Sequence, residues 1–169
     1  MLVAQLTSQD QRLRSHLGAI EVAHFQLVVD HGADLENLKV VGGYGFIEDI
    51  VECQIAGNRF LRSTKRGIEI LNIVRIQFGR KMFSQEARML ILSSRLHLPG
   101  IIELLYWGIQ HPEHQRQSSI VALGATTLVS GLRHLVYLDG DPISGRDLRA
   151  RPDDDLLPPT VRFLAIDPL

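Results

Sequence analysis

Leu38-Lys-Val-Val-Gly-Gly-Tyr-Gly-Phe-Ile-Glu-Asp-Ile-Val-Glu52 is the stretch on which the fold assignment rests. Two β-branched residues, Val40 and Val41, meet three glycines, Gly42, Gly43 and Gly45. Apolar residues at helical spacing follow: Phe46, Ile47, Ile50, Val51 and Ile55. That order predicts a strand, a tight turn and a helix. In an open α/β sheet such a turn lets the backbone approach a pyrophosphate at the positive end of a helix.

Upstream, residues 8–30 read as one long helix. Ser8 and Gln11 have capping-box spacing, Leu13, Leu17, Ile20, Leu27 and Val28 form a stripe, and Gly32 ends it. Glu21 and His24 stand at Glu-x-x-His spacing, but no second such pair exists, so they read as surface polar residues. Downstream, Arg59–Ser63 reads as a short second strand. Ile68, Ile70, Val74, Ile76 and Phe78 alternate as in a third, although 64–82 also fits a helix.

Residues 84–97 read as helix and Pro99-Gly100 as a break. The short apolar run Ile101–Trp107, with one charge at Glu103, has the length of a buried parallel strand. A helix from His111-Pro112 to Ser130, a strand at His134–Leu138 and a last strand at Val161–Ile166 complete the reading. Strands alternating with helices predict an α/β, doubly wound, mostly parallel sheet. Residues 38–41, 101–107 and 134–138 would be its parallel members, and residues 1–37 an N-terminal helical extension.

The chain has 169 residues, is 45% apolar and carries a net charge of −1, which fits a globular domain and gives no global attraction to nucleic acid or membrane. Residues 59–95 hold nine basic against two acidic side chains, a belt that reads as a solvated face or a phosphate site. The single cysteine, Cys53, excludes an intramolecular disulfide and reads as core. No signal-peptide layout or membrane-length apolar run is present, so the expectation is a cytoplasmic protein. His111 and His114 lack an obvious third ligand in the sequence, and Asp139-Gly-Asp141 lacks the remainder of a calcium loop. No metal is expected.

Three segments in order resemble the extended short-chain dehydrogenase/reductases, the NAD(P)-dependent sugar-nucleotide epimerases and dehydratases. They are Gly42–Ile47, Gly131–Gly145 and Asp153–Thr160. The resemblance implies a Rossmann-like domain over 38–169, truncated before the family's substrate-binding segment. Gly42, Gly43, Gly45, Phe46 and Ile47 would lie at the cofactor, with Arg62, Lys65 and Arg66 at its ribose, favouring NADP over NAD.

The same alignment exposes departures. Glu48 stands where the family has a third glycine, and opposes a pyrophosphate. Gly140 replaces the catalytic Ser or Thr, and Arg162 and Ile166 replace the Tyr and Lys of the acid/base pair. The expectation is a degenerate, non-catalytic domain that binds a nucleotide or a protein partner, or self-associates at an open sheet edge. The alternatives are a working NAD(P)-dependent enzyme with displaced catalytic groups and an all-helical interaction module.

Overall fold

The computed structural model describes residues 8–60, 64–143 and 145–168. Its helices are α1 (Ser8–Leu17), α2 (Leu35–Gly42), α3 (Asp49–Ala56), α4 (Ser84–Ser93), α5 (Ile101–Gln110) and α6 (Pro112–Gln117). Its strands are β1 (Glu21–Asp30), β2 (Phe46–Ile47), β3 (Ile68–Gln77), β4 (Met82–Phe83), β5 (Ile120–Val129), β6 (Leu132–Asp141), β7 (Gly145–Pro152), β8 (Leu156–Leu157) and β9 (Arg162–Asp167). Seven strands form one sheet in the order β1-β3-β9-β5-β6-β7-β2, and β4 pairs with β8 apart from it.

One sheet face packs Leu27, Ile73, Ala122 and Leu164 against Leu38, Val51 and the apolar side of α5. The other packs Val74, Ile76 and Phe163 against Leu17 of α1 and Ala87 and Ile91 of α4. The expected α/β class holds. The sheet is mixed: β9 pairs with β5 and β2 with β7 in parallel, and the other four pairings are antiparallel.

The elements α3, β3, α4, β6 and β9 fall where the residue pattern places them, and four other segments change identity. Residues 38–41 belong to α2. Asp34 caps it by accepting the Glu36 and Asn37 amides, and Gly43 closes it at φ 60 with its N–H on Val40 O. Leu35 and Leu38 face the core while Val40 and Val41 are 73% and 66% exposed. Two capping signals thus outweigh the β preference of two valines.

Residues 101–107 also lie in a helix, α5. Its body is buried nearly all round, so the apolar run carries no period to separate it from a buried strand. The expected helix over 112–130 shrinks to α6, and Ile120–Val129 is a strand. Ser130 and Gly131, at φ 51 and 80, make the two-residue turn that joins it to β6. The expected helix over 8–30 ends at Leu17, with Gly18 at φ 63, and Glu21–Asp30 pair along the whole of β3.

Of the three expected parallel strands only 134–138 is a strand. That segment lies in β6, antiparallel to both neighbours. Residues 21–30 are the edge strand of the sheet and not part of an appended helix. On that edge the Gln110 amide meets the Val28 backbone, accepting its N–H at 3.2 Å and donating to its oxygen at 2.6 Å. Cys53, expected in the core, is exposed.

Candidate functional site

The glycine segment links α2 to β2 and α3, and its surroundings are protein groups. Arg146 donates to Gly42 O and, at 2.6 Å, to Gly108 O, with its guanidinium 5.5 Å from the Tyr44 ring centre. Burial pushes the Tyr44 phenol up and Arg146 opposes it. The Gly45 amide bonds to Arg146 O. Phe46 is half exposed beneath Arg149, and Ile47 pairs with Leu148. Glu48 precedes α3, and its carboxylate accepts the Ala150 N–H at 2.9 Å.

The remaining sequence-predicted positions are scattered. Gly140 lies inside β6, where a Cβ would overlap the Gly145 carbonyl oxygen and come within 3.2 Å of Arg146 Cα. Arg162 reaches Gln117 and Glu21. Arg66 is exposed, and Arg62 lies outside the described residues. Ile166 and Lys65 reach a common cavity.

That cavity, of about 360 Å³, is lined by His31, Lys65, His97, Glu103, Gly124 and Ile166 over an apolar floor that includes Leu71 and Ile101. Its walls follow from the fold. His31 directly follows β1, its N–H on Gly67 O. Glu69 stands near the start of β3. His97 and Ile166 exchange two backbone bonds of 2.9 Å, and Gly124 N–H bonds to Pro99 O at 2.9 Å. These bonds fix the chain that leads into α5. Gly124 is required there, because a Cβ would lie 2.6 Å from Pro99 O.

At the centre His31 stands between two carboxylates. Its Nε2 lies 3.0 Å from Glu69 Oε2, and its Nδ1 lies 3.6 Å from Glu103 Oε1. Glu103 Oε2 accepts the Gly100 N–H at 2.8 Å, closing the first turn of α5. The His31 and Glu103 side chains are 2% and 8% exposed. Hydrogen bonds from Lys65, the larger effect, and from His31 hold the Glu69 carboxyl below its ordinary value, so it is ionised at neutral pH.

An ionised carboxylate only accepts, so His31 Nε2 carries the hydrogen. The other ring nitrogen, Nδ1, is buried without a partner among the described residues. A separation of 3.6 Å is too long for a hydrogen bond.

A second constellation lies where α5 passes into α6. Donor atoms of His111, Glu113 and His114 all fall within 4.8 Å of one another. Burial holds both imidazoles below their ordinary value, and the Arg75 charge acts in the same direction.

The residue pattern does not single out His31, Glu69 or His97, and in it Glu103 is only the one charge of an apolar run. The available signal was a lone carboxylate inside an apolar run, a residue that stays buried only when hydrogen-bonded. No protein-family model, curated protein or solved structure matches the chain.

Proposed function

We propose that this chain binds a small molecule bearing a hydroxyl or amine in the His31–Glu103 cavity and takes a proton from it. One observation carries the reading: the buried, unpartnered His31 Nδ1 facing Glu103 Oε1 across 3.6 Å at the wall of a cavity. With the ring neutral both atoms accept hydrogen bonds, so their complement is a donor. An amine seated beside the pair in the cavity, with one N–H on each atom, satisfies both, and unsatisfied buried polar atoms in a cavity are a recognised mark of a ligand site.

In this mechanism His31 is the general base. Glu69 is a positioning residue that holds the ring and its Nε2–H tautomer. When Nδ1 takes the proton, the resulting imidazolium stands between two carboxylates, which stabilise it electrostatically. Such proton transfer contributes roughly 10²–10⁴-fold to a rate. Leu71, Ile101 and Ile102 make the floor apolar, which strengthens these interactions.

The dinucleotide-binding, doubly wound reading rests on the three resembling segments and would put NADP or NAD at Gly42–Gly45. Thermal shift separates the two. A panel of small amino alcohols should stabilise the native chain by mass action and fail to stabilise His31→Gln and Glu103→Gln. No shift in the native chain, or one that persists in both variants, contradicts the base-site proposal. A shift with NADP or NAD that survives both variants favours the dinucleotide reading.

A further inference from the structure

We infer that His111, Glu113 and His114 form a site for a borderline divalent cation of the Zn²⁺ type, distinct from the His31 cavity. The three donors come from four consecutive residues, and their ligand atoms already lie within 4.8 Å of one another. This is the only such group of three among the described residues. Two imidazoles and one carboxylate are a donor set that suits zinc and leaves a fourth position open.

The surroundings are built for it. His111 is both the C-cap of α5 and the N-cap of α6, which fixes its backbone at the junction. Its ring bonds to the Gln26 backbone, while its Nε2 is buried without a partner among the described residues. A metal-ligating histidine shows this division of labour, one nitrogen held by the protein and the other left for the cation. The His111 and His114 rings stack with 5.4 Å between centres and 7° between planes. Trp107 and Phe25 pack against both.

Glu113 is exposed and approaches His114 Nε2 at 3.4 Å, so a small side-chain rotation brings it to a bound ion. The nearby cation Arg75 is ion-paired to Glu21, which Arg162 also approaches at 3.7 Å. Glu113 thus remains as the carboxylate that meets the metal.

The test uses the full chain stripped with chelator. Trp107 is the only tryptophan, and its ring centre lies 4.4 Å from that of His111. Cu²⁺ or Ni²⁺ should therefore quench its fluorescence at one equivalent, and calorimetry with Zn²⁺ should give the same stoichiometry. Mg²⁺, which prefers oxygen ligands, should do neither.

His111→Gln and His114→Gln should each weaken Zn²⁺ binding by more than ~10-fold, the scale at which losing even an indirect supporting contact is felt. Glu113→Gln, on an exposed side chain, should do the same with unchanged circular dichroism, and it decides the matter if the histidine variants do not fold. A control, His134→Gln, should leave affinity within about 2-fold. No Zn²⁺ binding by the native chain, or native-like affinity in Glu113→Gln, overturns the site.

Discussion

Glu103 faces His31 with one oxygen and caps its own helix with the other: Oε1 lies 3.6 Å from His31 Nδ1, and Oε2 accepts the Gly100 N–H at 2.8 Å. The two roles separate by substitution. Glu103→Gln keeps an acceptor for Gly100 and should cost less than about 1 kcal/mol of stability. Glu103→Ala leaves that amide unpaired and should cost about 1–3 kcal/mol in urea unfolding. Equal losses in the two variants would show that the carboxylate is not a cap.

Gly124 and Gly140 each forbid a side chain, because a Cβ at either would meet a backbone carbonyl oxygen. Gly124→Ala should lose about 1–3 kcal/mol, because the new methyl meets the Pro99 carbonyl and the strand cannot yield. Gly140→Ser, which installs the hydroxyl implied by the dehydrogenase resemblance, should destabilise by a similar amount and give no reduced-nicotinamide signal. A stable Gly140→Ser chain that turns over NAD(P) would reverse the account of β6.

Much of the secondary structure was legible because its signals were local. Ile68–Gln77 is rich in β-branched residues that favour a strand, although 64–82 also fits a helix, and Ser84–Ser93 has a helical period. The errors came where a local signal had two readings. Val40 and Val41 favour a strand, but the deciding residues were Asp34 and Gly43, at the helix ends. Ile101–Leu105 is apolar but for Glu103 because α5 is buried nearly all round, which erases its period. Ser130-Gly131 marked a hairpin that the small-residue run before it hid. The candidate site was less legible still. His31, Glu69 and Glu103 are far apart in sequence and meet only through β1–β3 pairing and the placement of α5.

Arg146 joins the two segments that its guanidinium bonds, through the Gly42 and Gly108 carbonyls. Replacing it with Lys removes the fork and should cost about 1.5–3 kcal/mol, and replacing it with Met should cost more. Thermal unfolding of both variants checks this. A Lys variant as stable as the native chain would mean that the guanidinium geometry is not needed.

The titration of Glu69 gives a pH test of the same cavity. Its folded value lies below the ordinary 4.5, first because of the Lys65 hydrogen bond and then because of His31. A carboxyl depressed in the folded state contributes stability above its unfolded value, and that contribution is lost as pH falls through the lower folded value. In Lys65→Met the Glu69 midpoint, followed by carboxyl-carbon NMR, should move upward toward 4.5. An unmoved midpoint would remove Lys65 from the cavity's charge arrangement.

The most direct test of the proposed proton-abstraction site is the imidazole ¹⁵N spectrum of His31. A base at Nδ1 requires hydrogen on Nε2 and a bare Nδ1 before ligand is added. Added ethanolamine, which offers both an amine and a hydroxyl, should shift the Nδ1 resonance saturably in the native chain and not in Glu103→Gln. A His31 that carries hydrogen on Nδ1 before ligand is added, or an Nδ1 resonance that ethanolamine leaves in place, would contradict the proposal that this nitrogen is the base.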